Sequence, residues 1–122
     1  MKELTAKEEE IMQLFWADGP LFVKQLVEKY PEPKPHFNTL STYVRALEEK
    51  GFLDHESFGS TYRYFALIKA DDYQNRTLKN VITKYFNNSY LKVVSSFIES
   101  KDISVDDIRR LLDEVETKQP EK

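Results

Sequence analysis

Apolar positions along this 122-residue chain follow first a helical period, then a strand period, then a helical period again. Ile11, Met12, Phe15 and Trp16 share one face of a first helix, which Thr5 and Glu8 open as a capping box and Asp18-Gly19-Pro20 closes. Leu21-Phe22 reads as a short strand. Val23, Leu26, Val27 and Tyr30 recur at i, i+3, i+4 and i+7, the signature of a second amphipathic helix, and "PEPKP" from Pro31 to Pro35 cannot continue it. A third helix starts between His36 and Asn38, carries the stripe Leu40, Val44 and Leu47, and ends at Gly51. The period then shortens. "FLDHES" and "STYRYFAL" flank the turn signal Phe58-Gly59, and the β-branched and aromatic run Thr61 to Phe65 predicts a β-hairpin.

Helical spacing resumes near Lys69. Asp71-Asp72 read as the cap of a fourth helix carrying Leu78, Val81, Ile82, Tyr85 and Phe86, and "NNS" from Asn87 to Ser89 breaks it, because Asn tolerates the left-handed conformation. Leu91, Val94, Phe97 and Ile98 mark a fifth helix. Ser104 caps a sixth with the stripe Ile108, Leu111, Leu112 and Val115. The predicted division is a domain over residues 1–68, a helical region over 69–118 and a disordered tail at 119–122. A region of about 50 residues is too small to bury three apolar stripes well by itself, so it is expected to pair with the same helices of a second copy, packing onto the first domain being the competing reading.

Helix, helix, helix, hairpin is the order of a winged helix-turn-helix. The fold class is therefore mainly α with a small β-hairpin: an N-terminal winged helix-turn-helix and a C-terminal three-helix dimerisation region. In that architecture the third helix enters the DNA major groove by its N-terminal end. With Leu40, Val44 and Leu47 holding the helix to its neighbours, Asn38, Ser41, Thr42 and Arg45 fall on the opposite face, where short hydroxyls and amides reach base edges or phosphates. Arg45 is the expected base contact, with Thr39 and Thr42 on the same surface. Arg63 of the hairpin is the expected phosphate contact, and Tyr43, Lys50 and Tyr64 are further candidates. A plain solvated face is the competing reading of this polar stripe.

Composition narrows the choice of function. The chain has no cysteine, hence no disulfide and no thiolate metal site, and two histidines, His36 and His55, are too few for the usual transition-metal cage. No Cys nucleophile, phosphate-cradling glycine loop or metal-ligand cluster is present, and three glycines are few for a cofactor loop. An enzyme is not expected, nor is a cofactor. The start "MKELTAKEEE" lacks an apolar signal core, and no run approaches the roughly 20 apolar residues of a membrane span, which predicts a cytoplasmic protein.

Charge runs against a nucleic-acid partner. Residues 1–66 hold eight Lys or Arg against eleven Asp or Glu, and phosphate contact is the main source of non-specific DNA affinity. Yet from Pro33 to Leu47 the only charged side chains are Lys34 and Arg45, both basic. A local positive strip on an acidic molecule follows, with weak non-specific binding. A winged helix that contacts protein and no DNA is the alternative that the charge favours.

The whole chain resembles the penicillinase-repressor (BlaI/MecI) family of winged-helix transcriptional regulators. The resemblance rests on "LTAKEEEIMQLFW", the spacing of Thr39 and Thr42, "LEEKGFL", the aromatic wing "TYRYF", and "YFNNS". It implies a homodimeric repressor on a palindromic double-stranded operator. Tyr85, Phe86, Leu91, Val94, Phe97, Ile98, Ile108, Leu111, Leu112 and Val115 would then make the dimer. Phe37 stands where the family has Pro, Pro35 where it has Trp, and Ala46 where Arg is frequent, so the operator is expected to differ. Asn88 replaces a frequent glycine and can serve the same turn. One branch of the family senses copper through a cysteine-rich motif, which this chain cannot build. The other is antibiotic-responsive: a membrane sensor with a metalloprotease domain triggers cleavage of the repressor, and the aligned bond here joins Ser96 and Phe97.

Overall fold

The computed structural model describes residues 3–118. Helix α1 (Ala6–Asp18) opens as the sequence predicts. The Thr5 hydroxyl accepts from the Glu8 N–H at 3.2 Å, and the Glu8 carboxylate accepts from the Thr5 N–H at 2.8 Å. The helix buries Ile11, Met12 and Phe15. Strand β1 (Leu21–Phe22) leads directly into α2 (Val23–Glu28), which buries Val23 and Leu26. This helix stops short of Tyr30. Lys34 Nζ donates to the carbonyls of Tyr30 (2.7 Å) and Glu28 (3.3 Å), so a cation closes the C-terminal end of α2.

Helix α3 (Phe37–Glu49) buries Leu40, Val44 and Leu47. It ends in a Schellman arrangement: the Phe52 N–H reaches Leu47 O at 2.9 Å and the Gly51 N–H reaches Glu48 O at 3.0 Å. Gly51 takes φ +86°, which a side chain would resist. Strands β2 (Leu53–Phe58) and β3 (Thr61–Ala66) form the hairpin around Gly59, itself at φ +62°. The sheet is antiparallel in the order β1-β3-β2, with Leu21 opposite Tyr64 and Leu53 opposite Ala66. The apolar stripes of α1, α2 and α3 close on Phe52, Leu53 and Tyr64, and Phe52 is the largest fully buried side chain.

Helix α4 (Ala70–Phe86) begins before Asp71-Asp72, so these residues sit inside its first turn, favouring the helix dipole, rather than capping it. The first turn also supplies Tyr73, whose ring lies 5.5 Å from Trp16 and 5.7 Å from Phe52 and whose hydroxyl donates to Glu9 at 2.9 Å. The Trp16 indole N–H donates to Ile68 O at 2.8 Å. With Tyr73 drawn into the first core, the chain divides into compact units after Gln74, inside α4.

The second unit starts at Asn75. Asn87 (φ +52°) and Asn88 (φ +64°) are both left-handed and end α4. Ser89 then caps α5 (Tyr90–Glu99), accepting from the Lys92 N–H. Helix α5 ends at a left-handed residue the sequence does not advertise, Lys101 at φ +66°, where the Asp102 N–H reaches Phe97 O at 3.0 Å. Helix α6 (Val105–Lys118) opens with Ser104 and Asp107 in reciprocal hydrogen bonds of 3.0 Å. Among the described residues of this unit only Ile82 is buried; α5 and α6 bury none. The expected tail at 119–122 lies outside the described residues.

Candidate nucleic-acid interface

Helix α3 faces the core with Leu40, Val44 and Leu47, which turns Asn38, Thr42 and Arg45 to solvent. At 100° per residue, Phe37, Ser41 and Arg45 (i, i+4, i+8) run in one line along the flank next to the hairpin. Between that line and the hairpin lies an open groove of about 560 Å³. Phe37, Asn38, Ser41 and Arg45 form one wall; Tyr62 and Tyr64 with Ser60 and Thr61 form the other; Phe22, Lys24 and Gln25 close the end. The sheet register puts Tyr62 and Tyr64 on the groove side and Arg63 on the opposite face, because alternate residues of a strand point opposite ways.

Two cations address this groove. Arg45 Nε donates to Ser41 O at 3.3 Å, and no carboxylate among the described residues lies within ion-pair distance of Arg45 or Lys24. The N-terminal end of α3 adds a third attraction for anions. At His36 no side chain caps the helix, in contrast to Thr5, Ser89 and Ser104 on α1, α5 and α6. Its first backbone N–H groups are left for water or an anionic ligand.

The other expected contacts are placed differently. Lys34, half of the inferred positive strip, is turned to the end of α2 and to the Glu28 carboxylate at 3.8 Å. Tyr43 is half-buried against the core. Tyr64 is 6% exposed and belongs to the core itself, where burial and the nearby Glu48 carboxylate raise its hydroxyl above the usual phenol range. Lys50 closes the far end of α3, donating to the buried Glu8 carboxylate at 2.6 Å and to Glu3 O at 3.1 Å. Burial opposes the Glu8 charge, but the Lys50 ammonium and the Thr5 donors outweigh it and hold the carboxyl below its ordinary value. Arg63 pairs with Glu56 at 3.3 Å and lies over the Phe58 ring at 4.8 Å. Its Nε is buried without a hydrogen-bond partner among the described residues.

Beside the groove, His55 Nδ1 meets the Glu48 carboxylate, joining β2 to α3, and the His55 ring stacks on Tyr62 at 4.2 Å. Glu48, Asp54 and His55 offer donor atoms within 4.8 Å of one another. Here the His55–Glu48 side-chain hydrogen bond and the Asp54 bond from the His55 N–H (2.8 Å) engage them. The arrangement braces the wing against α3. Lys24, Gln25, Phe22, Phe37 and Tyr62 are groove residues that the sequence reading passed over. Lys24 and Gln25 follow a two-residue strand, and only the β1–β3 pairing brings that strand to the wing.

This is a groove that presents cations, amides, hydroxyls and aromatic rings beside an uncapped helix end. The family model for the penicillinase repressor matches residues 4–117. The chain belongs to the penicillinase repressor family. The methicillin resistance regulatory protein MecI of Staphylococcus aureus strain N315 is 27% identical to it over 110 residues, 89% of each chain. The penicillinase repressors of Staphylococcus aureus and Bacillus licheniformis are each 21% identical, the first over 95% of both chains, the second over 89% of this chain and 86% of its own. The family is one of transcriptional repressors and not of enzymes. Among the described residues, no helix is long and apolar enough to cross a membrane.

Proposed function

We propose that this repressor acts in the cytoplasm as a homodimer that binds a palindromic double-stranded operator through α3 and the wing. The observation that carries the reading is the groove beside α3: among the described residues Arg45 and Lys24 have no carboxylate partner, on a domain whose other basic side chains are largely engaged in ion pairs. Asn38, Ser41, Thr42 and Arg45 are the proposed base-reading surface, Lys24 and the N-terminal end of α3 the phosphate contacts of the groove, and Arg63 a phosphate contact outside it that must exchange its Glu56 partner for the phosphate. Thr39 is exposed one step round the helix and is a peripheral member of the same surface.

The dimer is supported by what the second unit leaves open. Leu91, Phe97, Leu111 and Leu112 remain about half exposed or more, and burying a side chain of this size stabilises by about 1.5–3 kcal/mol. Val94, Ile98 and Ile108 extend the same faces with partial burial, and Tyr85, Phe86 and Val115 belong to them. Switching follows the same logic. Cleavage between Ser96 and Phe97, inside α5, by a protease under a membrane sensor would remove Phe97 and everything after it from the interface. The liberated halves would each hold one half-site alone.

Footprinting on DNA upstream of the protein's own gene tests the reading. Two protected half-sites related by two-fold symmetry are expected, with centres separated by about 10 base pairs or a multiple. A single asymmetric half-site would defeat the dimer, and no protection at any protein concentration would favour the protein-binding alternative. Arg45→Ala should weaken operator binding by about 1–3 kcal/mol and random DNA by less. Equal losses on both would make Arg45 a phosphate anchor.

A further inference from the structure

Phe37 is the residue of the interface with no structural work to explain it. It begins α3, leaves 53% of its surface exposed, and makes no ring contact with another aromatic among the described residues. It heads the line that Ser41 and Arg45 continue, at the helix end that enters the groove of DNA in this architecture. Its immediate neighbours there, His36, Asn38 and Thr39, are all polar. Phe22, Tyr62 and Tyr64 line the same groove from its end and far wall, but at the leading end of α3 Phe37 is the apolar ring, and it meets one apolar feature on the major-groove edge of a base pair: the C5-methyl of thymine.

We infer that Phe37 is a specificity-determining residue, reading a thymine methyl in each half-site by apolar contact. The inference rests on the proposed DNA-binding reading and sharpens it. Its chemistry differs from that of the polar readers. Asn38, Ser41 and Arg45 discriminate by hydrogen bonds, which a missing methyl leaves intact. A ring contact discriminates by burying one carbon, and that carbon can be removed without touching base pairing: uracil in place of thymine.

The test uses the full chain and a site selected by it from a random-sequence duplex library. Each thymine of that site is replaced in turn by uracil, and affinities are measured for the natural chain, Phe37→Ala and Phe37→Leu. Loss of one buried methyl corresponds to about fourfold in affinity, hence about fifteenfold when both symmetric thymines are replaced. The expected result is one uracil-sensitive thymine per half-site in the natural chain. Phe37→Ala should bind thymine and uracil sites alike, and Phe37→Leu should keep part of the discrimination. Because Phe37 is half exposed, both variants should retain the fold, which an unchanged melting temperature checks. Indifference to uracil at every position would overturn the inference while leaving DNA recognition standing. Uracil sensitivity that survives in Phe37→Ala would overturn it equally, assigning the methyl to another side chain. Failure of the natural chain to select any site would remove the DNA-binding reading itself, an outcome distinct from both.

Discussion

Helices α3 and α6 carry apolar stripes of the same kind and meet opposite fates. Leu40, Val44 and Leu47 of α3 are fully buried, whereas Leu111 and Leu112 of α6 are each 53% exposed. Pattern alone does not distinguish them. The difference lies in what the surrounding chain supplies: two helices, a three-stranded sheet and the first turn of α4 close over α3, and nothing comparable closes over α6 among the described residues. An amphipathic stripe is thus a statement of demand, and the first unit meets it internally while the second does not. In the proposed dimer a second copy meets the remainder.

The largest way to break this contrast is a chain ending at Ser96. Without Phe97, Leu111 and Leu112 it should be monomeric, and operator affinity should fall by roughly two to four orders of magnitude as the effective concentration of the second half-site contact is lost. Sedimentation and operator titration read both effects; a truncated chain that stays dimeric and binds as tightly would end the dimer proposal. Next, Leu40→Ala should lower unfolding free energy by about 2–5 kcal/mol at any protein concentration. Leu111→Ala should act through a midpoint that moves with concentration. Urea titrations at two concentrations a hundredfold apart separate them.

A smaller effect sharpens the contrast inside the first unit. Lys50→Met leaves the buried Glu8 carboxylate without its cation and should destabilise by roughly 1–3 kcal/mol, yet leave operator affinity of the folded protein nearly unchanged. An affinity loss as large as that of Arg45→Ala would instead make Lys50 part of the DNA surface. The pH dependence has a definite sign. A carboxyl held below its ordinary value contributes stability that is fully present above that value, about 4.5, and is lost as pH falls through the depressed one. Glu8→Gln should therefore flatten the acid side of the stability curve, measured by melting between pH 6 and pH 3. The smallest expected effect is Lys101→Gly: relief of a left-handed side chain, about 1–2 kcal/mol, less glycine's own entropy cost of about 0.5–1 kcal/mol, leaves a net stabilisation of about 0.5–1 kcal/mol at the end of α5.

What the sequence discloses here is local, and what it withholds is not. The caps at Thr5 and Ser104, the stop at Gly51 and the left-handed pair Asn87-Asn88 are each decided by residues within a turn of one another, and all are legible. Lys50 looked like a surface cation because its partner, Glu8, stands 42 residues earlier. Tyr64 looked like a wing residue until pairing with Leu21 put it inside. Lys24 reaches the groove only through the β1–β3 ladder, which no helical or strand period reveals, and Phe37, although in line with Ser41 and Arg45, becomes a groove residue only once the hairpin supplies the facing wall. Tyr73 likewise answers to residues far away in the chain, Trp16, Phe52 and Glu9, which no local pattern discloses.

The Trp16 contact has an optical consequence. The chain holds a single tryptophan, and its indole is fixed in the first unit by the Ile68 carbonyl and the Tyr73 ring. Indole emission therefore reports the winged helix alone, whereas far-ultraviolet circular dichroism sums helices from both units. Recorded together during one denaturant titration of dilute protein, the two signals should part, with ellipticity declining before emission shifts. The distance between those curves gauges how loosely the second unit holds together without a partner, with no label attached.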